Sequence, residues 1–336
     1  MSPLEQRYRR LLAWLPEPAR SRWADDMTET YLQVETADDP EYAEFGSPSL
    51  RDRLDVARLA VRLRLGAPGA SVRAVATGRT VRLVAVAGTV TLASMALVGL
   101  VSTAWLHGVI PLVDAPDLGG TPLWGPRDAV STVVSALTVA LGVCAVRGLA
   151  ATRPLAVAVL AGHVVEVASA EVAFPGPVGP GPLLTGFTLA VPLVAAALAP
   201  AGPPVRRPWW PCWLGVVVLA PWAVGLTALT RAPAEPAGWL LALADPFVHL
   251  GTVLVLTGAA LLGRRRPARG PAELAVAVLA AALVPTLAGR LAYAVPTGWS
   301  TTVLAVTLGV VGTSVVAGAV GLRAVRALPA TVPADR

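Results

Sequence analysis

Ionisable side chains within apolar segments are the residues of this chain that could do chemistry. A charge placed in lipid is costly, so such residues mark transport pathways, proton relays or structural ion pairs. Six of them fall within predicted membrane spans: His163, Glu166, Glu171, Asp245, His249 and Arg290. His163 and Glu166 are three residues apart and share one face of a helix. Asp245 and His249, four residues apart, share a face in the same way.

Two interpretations of these six residues stay open. Imidazole together with carboxylate suits several divalent metals and also relays protons, which predicts a metal site of unknown metal or a proton site. The other interpretation is a structural network, in which Arg290 neutralises Glu171 or Asp245 and each histidine bonds to a neighbouring helix. The sequence favours the network, because intramembrane charges must be paired whatever their purpose.

Several enzyme classes are excluded by composition. All 27 basic residues are Arg and the chain has no Lys, so neither a P-loop lysine nor a Schiff-base lysine is available. HExxH and GxSxG motifs are absent as well, which excludes the metalloprotease and serine-hydrolase templates. We therefore expect no enzyme activity and no cofactor.

The elements that must position these residues are membrane spans. Hydrophobic residues make up 55% of the 336 residues, charged residues only 14%, and the mean hydropathy is +0.64. Residues 83–106 carry no charge, and about 20 such residues cross a hydrocarbon core about 30 Å thick. The sequence thus predicts an all-α, polytopic integral membrane protein embedded in the lipid bilayer.

We predict about eight spans, joined to a small N-terminal domain. The predicted domains are a cytoplasmic three-helix module over 1–65, a linker over 66–82, the transmembrane domain over 83–322 and a tail over 323–336. The predicted spans are 83–106, 128–146, 154–174, 182–200, 211–230, 241–263, 272–291 and 300–322.

Arginine placement predicts the topology. With the N-terminus inside, the cytoplasmic loops and tail hold ten arginines: Arg147, Arg153, Arg206, Arg207, Arg264, Arg265, Arg266, Arg269, Arg323 and Arg326. The opposite loops hold only Arg127 and Arg231. The positive-inside rule therefore places both termini in the cytoplasm, and the basic charge is topological, so no direct nucleic-acid binding is expected.

The N-terminal module contains amphipathic stripes that need a partner. Its first helix carries the face Leu4, Tyr8, Leu11, Leu12 and Leu15, and its third begins at a predicted capping box from Ser49 to Asp52. The second places Trp23, Met27 and Tyr31 on one stripe, which we predict to bind a partner. A domain of this size buries little core alone, so docking is expected.

The runs RYRRLLAWLP and SPSLRDRLDVARLAVRLRLG, with the Trp23–Met27 region between them, resemble the N-terminal module of actinobacterial multi-span membrane proteins. That module is similar to the HAAS-type signalling helices found beside PadR-type transcription regulators. The resemblance implies a bacterial plasma-membrane protein of largely uncharacterised function, whose module binds a cytoplasmic transcription regulator or a membrane subunit.

Three functions follow from the sequence as hypotheses, and the weakest is a membrane-embedded enzyme, because no catalytic constellation is visible. The first is a regulatory or signalling role, in which the N-terminal helices bind a cytoplasmic regulator or a membrane partner. The alternative is a small-solute or ion transporter that uses the intramembrane His, carboxylate and Arg cluster.

Overall fold

The computed structural model describes residues 1–37, 39, 41–109, 125–173, 181–199, 209–230, 243, 245–264, 270–297 and 300–331, and these residues form helices and connecting turns without a strand. The helices are α1 Pro3–Leu12, α2 Glu17–Glu35, α3 Tyr42–Phe45, α4 Leu50–Arg64, α5 Val72–Leu106, α6 Pro126–Arg147, α7 Thr152–Ala173, α8 Gly181–Leu198, α9 Trp209–Thr230, α10 Pro246–Leu262, α11 Pro271–Thr297 and α12 Ser300–Arg326. The predicted all-helical class is therefore confirmed for the described residues.

The chain divides into two compact units. Unit 1 contains residues 1–80 and 323–336, and unit 2 contains residues 81–322. The boundaries fall within α5 and α12, so neither unit coincides with a run of whole helices.

Unit 1 is built around the apolar face of α1. Ser2 caps this helix by accepting a 3.1 Å hydrogen bond from the Glu5 amide, and Pro3 occupies the first turn, where its missing N–H costs nothing. The buried face of α1 packs on α2 and α4, and the core contains Tyr8, Leu11, Leu12, Leu15, Ala19, Val56, Ala60 and Leu63. The helical spacing of the apolar residues thus produces the expected inward face.

The capping box predicted at the start of α4 is confirmed. The Asp52 amide donates to Ser49 Oγ at 3.2 Å, and the Ser49 amide donates to Asp52 Oδ2 at 2.8 Å. Each side chain satisfies a backbone donor that the helix leaves free.

Helix α5 begins inside the segment that we predicted as a linker. Its first residue is Val72, and residues 72–82 are helical because the segment has arginine and alanine but no proline after Pro68. Within unit 1, Arg73 at the start of α5 donates to the carbonyls of Arg326 and Leu328 at 2.8 and 3.1 Å. Residues 253 positions apart in the chain are therefore in direct contact.

Each predicted span overlaps one helix of the set α5 to α12. In the described part of the chain, four helices are long and apolar enough to cross a membrane: Val72–Trp105, Asp128–Arg147, Pro271–Ala292 and Thr301–Arg326. Three shorter apolar helices cover Leu184–Leu198, Gly215–Gly225 and Pro246–Leu262. Composition and length therefore indicate membrane insertion, with four helices that qualify as spans.

Small residues let the helices of unit 2 approach closely. Helix α6 packs on α7, α7 on α8, α8 on α11 and α10 on α11. A side chain at Gly258 of α10 would collide with Thr313 of α12, and one at Gly321 would meet the backbone of Gly270 and Leu274. Glycine at these positions permits the close contact that apolar helices use in place of a hydrophobic driving force.

Candidate functional site

Four of the predicted ionisable residues form two separate pairs, His163 with Glu166 and Asp245 with Arg290. His163 and Glu166 lie on α7, with His163 Nδ1 2.8 Å from Glu166 Oε2. Their side chains are 24% and 25% exposed, so the pair is largely withdrawn from the surroundings. The three-residue spacing gives the expected contact on one helix face.

The second pair joins Asp245 to Arg290 on α11. Arg290 Nε lies 3.3 Å from Asp245 Oδ2, and the Asp245 side chain is only 6% exposed. Asp245 is also the N-cap of α10, since its Oδ1 accepts a 2.8 Å hydrogen bond from the Phe247 amide. The Arg290 guanidinium carbon lies 5.5 Å from the centroid of the Phe247 ring, a cation–π contact.

His249 does not join Asp245 as the sequence spacing suggests. Its Nε2 lies 2.7 Å from the Leu243 carbonyl, which can only accept, so Nε2 carries the proton and donates. The reason is that Asp245 precedes the helix as its cap, while the i, i+4 rule holds only for residues inside one helix.

The described residues of the predicted cluster therefore do not form one site. The first pair lies on α7, which packs on α6 and α8, whereas Asp245 and Arg290 lie where α10 packs on α11. Glu171 falls outside the described side chains. Among the side chains that are described, no three His, Cys, Asp or Glu residues come together to hold a metal ion.

Unit 1 contains an open groove of about 550 Å³, which we call the acidic groove. Its apolar wall is formed by Tyr8, Trp23, Met27, Tyr31 and Val34, and its carboxylates are Asp26, Glu35 and Asp52. The three residues that we predicted to bind a partner thus lie along this wall. The stripe follows from their spacing on α2, because residues four apart face the same way.

A pair of stacked rings supports the groove. The centroids of Tyr8 and Tyr31 are 3.9 Å apart and their planes are inclined by 3°. Tyr31 has a buried hydroxyl for which the described residues supply no hydrogen-bond partner. Nothing in the sequence pattern indicates the stack, because it joins α1 to α2 through the packing of unit 1.

The electrostatics of the acidic groove are one-sided. Among the described residues that line it, every charged one is a carboxylate, and these carboxylates attract cations. A cation next to its wall is Arg22, whose guanidinium carbon lies 5.9 Å from the centroid of the Trp23 ring. Burial raises the pKa of Tyr31 well above its ordinary value, and the carboxylates of Asp52 and Glu35 raise it further. Burial, followed by the charge of Asp52, also raises the pKa of Tyr8.

Unit 2 contains a larger hollow of about 750 Å³, which we call the membrane-domain cavity. Helices α5, α8, α9, α10 and α11 surround it, with wall residues such as Leu92, Leu189, Val217, Leu254 and Leu279. Sequence reasoning missed this cavity. Each helix is apolar nearly all round, so the sequence gives no sign of which faces leave a gap.

No protein-family model matches the chain, and no curated protein and no solved structure shows significant similarity to it. Its function must therefore be inferred from its own geometry.

Proposed function

We propose that this protein is a multi-span plasma-membrane protein with a regulatory or signalling role, and that its N-terminal helices bind a cytoplasmic partner through the acidic groove. The groove itself carries the proposal. It exposes an aromatic and apolar wall, with Val34 67% exposed, beside three carboxylates and no basic side chain among the described lining residues. Exposed apolar surface with a polar rim is typical of protein-interaction sites.

The partner suited to this groove is a segment with an apolar or aromatic side chain flanked by arginine or lysine. The apolar side chain would pack on Trp23 and Met27, and the basic side chains would face Asp26 and Glu35. A cytoplasmic transcription regulator or a second membrane subunit can supply such a segment.

The proposed topology has eight spans, α5 to α12, with the three longer N-terminal helices forming the cytoplasmic module and both termini inside. The strict alternation of arginine-rich and arginine-poor loops supports it. The hydrogen bonds from Arg73 to Arg326 and Leu328 support it too. Residues in direct contact lie on the same side of a membrane, which requires an even number of crossings between them.

The test is site-specific crosslinking in cells that express the full chain. A photo-crosslinker replaces Val34 in the groove, and in a parallel sample it replaces Glu29, which is exposed on α2 outside the groove. We expect a crosslinked partner from position 34 only. The double variant Asp26→Lys with Glu35→Lys should abolish this product.

A matched variant controls for general charge effects. Glu29→Lys reverses one charge on the same helix, as each single groove substitution does, but lies outside the groove, so crosslinking from position 34 should persist. A partner that survives the double groove variant, or that crosslinks equally from both positions, overturns the proposal.

Transport is a second candidate function, and one contact favours it. Phe247 lines the membrane-domain cavity on one side and contacts the Asp245–Arg290 ion pair on the other. A buried carboxylate next to a cavity is the usual arrangement of a proton-coupled site.

Reconstituted vesicles with an enclosed pH-sensitive dye test this second function. Transport of protons predicts that Asp245→Asn abolishes dye acidification driven by an applied membrane potential. Asp128→Asn serves as the control, because Asp128 likewise accepts from a backbone amide, that of Gly125 at 2.9 Å, but lies away from the cavity. Equal flux through the wild type and Asp245→Asn excludes a role for the pair in proton transport.

A further inference from the structure

The membrane-domain cavity follows almost the whole length of α10. Its lining includes Phe247 near the start of this helix and Arg264 just beyond its end. At 1.5 Å per residue these positions are about 25 Å apart, which approaches the thickness of the hydrocarbon core. The hollow is therefore long enough for an extended apolar chain that runs along the spans.

The described wall of the cavity is mainly hydrocarbon. Two of its lining threonines already donate within the protein, Thr91 to the Ala87 carbonyl at 2.9 Å and Thr188 to the Ala282 carbonyl at 2.6 Å. Small side chains such as Ala87, Ala272 and Ala275 leave the central space open. An apolar wall of this kind selects an apolar occupant.

One end of the cavity differs from the rest. Arg264 is exposed and is the single charged residue among the described residues that line the cavity. A guanidinium binds phosphate through paired hydrogen bonds, and arginine near a membrane surface attracts anionic lipid. At the other end, Phe247 lines the cavity and its ring contacts the Arg290 guanidinium.

From this combination of length, apolar wall and terminal charge, we propose that the membrane-domain cavity binds an anionic phospholipid. An acyl chain lies along α10, and Arg264 binds the phosphate of the headgroup. This assignment is independent of the acidic groove and of any partner that binds there. Binding at this site differs from ordinary contact with bilayer lipid because it is saturable and selective for lipids of negative charge.

The experiment is native mass spectrometry of the full chain, purified in detergent, stripped of lipid and titrated with phosphatidylglycerol or phosphatidylcholine. We expect one saturable phosphatidylglycerol site and weaker binding of phosphatidylcholine. Arg264→Gln should weaken phosphatidylglycerol binding about fivefold and leave phosphatidylcholine unchanged, as the contribution of one basic residue near the membrane surface indicates. Arg264 is exposed, so its replacement leaves the packing of the helices intact.

Two matched pairs of variants distinguish binding in the cavity from general effects on lipid binding. The first pair is Thr257→Trp with Leu256→Trp, and the second is Arg264→Gln with Arg147→Gln. Thr257→Trp fills the cavity and should abolish binding of both lipids, while Leu256→Trp, at a neighbouring position that is 64% exposed and outside the lining, should bind like the wild type. Arg147→Gln removes an exposed arginine at the end of α6, away from the cavity, and should leave phosphatidylglycerol binding unchanged.

Three results would overturn the proposal. The first is equal phosphatidylglycerol affinity in the wild type and Arg264→Gln. The second is an equal loss in Leu256→Trp and Thr257→Trp, which would indicate non-specific lipid around the protein. The third is a dimer in the wild type that Thr257→Trp converts to monomer, which would show that a second copy of the chain covers the cavity.

Discussion

The acidic groove of unit 1 and the membrane-domain cavity of unit 2 have similar volumes and opposite chemistry. The groove, about 550 Å³, is walled by aromatic side chains and lined by carboxylates. The cavity, about 750 Å³, is walled mainly by aliphatic and small side chains, and among its described lining residues Arg264 is the single arginine. The difference shows that charge and wall composition, more than size, determine which occupant a hollow suits.

The two hollows also arise in different ways. Unit 1 has a core of large residues such as Leu4, Leu12 and Leu63, and its groove is where short helices leave part of a stripe uncovered. In unit 2, alanine and glycine let long helices meet closely at some levels and leave a gap at others. The groove forms because the helices of unit 1 leave apolar surface uncovered. The cavity forms because the small side chains of unit 2 do not fill the space between its helices.

The largest effect that we predict concerns the ion pair beside the cavity. Arg290→Ala leaves the Asp245 carboxylate, only 6% exposed, without its cation and should destabilise the protein by about 3 kcal/mol. Asp245→Ala leaves an arginine that is 42% exposed and should cost nearer 1 kcal/mol, mainly through the lost cap. Thermal unfolding of the full chain in detergent measures both.

The double variant sharpens this asymmetry. Removing Asp245 in the Arg290→Ala background should recover most of the lost stability, because it eliminates the uncompensated charge, while the loss of the helix cap remains. A double variant that is less stable than Arg290→Ala would show that the two residues act independently, and the cavity would then tolerate charge at its end.

A smaller effect is expected at the stacked rings of the groove. Tyr31→Ala removes the stack on Tyr8 and buried ring area, and should destabilise unit 1 by about 2 kcal/mol. Tyr31→Phe retains the ring and removes a hydroxyl without a described partner, so it should be neutral or slightly stabilising. Hydrogen exchange of α1 and α2 amides in the full chain reports the change. Equal losses in the two variants would show that the hydroxyl is already bonded in the unbound protein.

The cap of α4 should have a still smaller effect. Ser49→Ala removes one side of the capping box and should cost about 1 kcal/mol, seen as faster hydrogen exchange in the first turn of α4. Ser47→Ala, two residues earlier and outside the box, is the control and should leave this exchange unchanged. Asp52 also lines the acidic groove, so the Ser49 variant should loosen its carboxylate. No change in exchange would mean that tertiary packing alone holds this helix end.

The smallest effect is a pH dependence confined to unit 1. Burial raises the pKa of Tyr8 and of Tyr31 in the folded protein, so folding favours their neutral form. This contribution is complete below the ordinary pKa of tyrosine, about 10, and is lost as pH rises above it. At pH 10 the combined loss should remain below that of Ser49→Ala, measured by hydrogen exchange in α1 and α2.

Helix α10, which lines the membrane-domain cavity, is the control for this pH effect. Tyrosine is absent from the described lining of the cavity, so exchange in α10 should be unaffected over the same range. Tyr31→Phe should reduce the pH dependence of unit 1. A uniform loss of protection in α1 and α10 would assign the effect to general alkaline unfolding.

Local features of this structure could be predicted from the sequence. The inward face of α1 follows from apolar spacing, and the capping box at Ser49 follows from serine and aspartate three residues apart. The pairing of His163 with Glu166 follows in the same way. Each depends on residues within one or two helical turns, where spacing determines geometry.

The sequence also contains a local signal for the start of α10 that the predicted span does not use. Asp245 is followed by Pro246, and aspartate before proline at the first helical position is typical of a helix start. The predicted span began earlier, at 241, because the preceding residues are equally apolar. Hydropathy alone does not locate the helix end, so His249 was wrongly placed beside the Asp245 carboxylate.

The cavity and the tyrosine stack could not be predicted. Both bring together residues from separate helices, and the cavity needs five of them. Amphipathic periodicity indicates which face of a helix is buried, but α5 is apolar through most of its length and offers no such direction. The contacts of Arg73 with Arg326 and Leu328 could not be predicted either, because the sequence of α5 does not indicate which residues it faces.

Those contacts also determine when unit 1 can be completed during synthesis. Arg73 leaves the ribosome 253 residues before its acceptor Arg326, an interval of about 10–50 s at ordinary elongation rates. Residues 81–322, which form unit 2, are synthesised during this interval. The N-terminal helices of unit 1 can therefore form early, but the contacts of Arg73 can form only after Arg326 and Leu328 have been made.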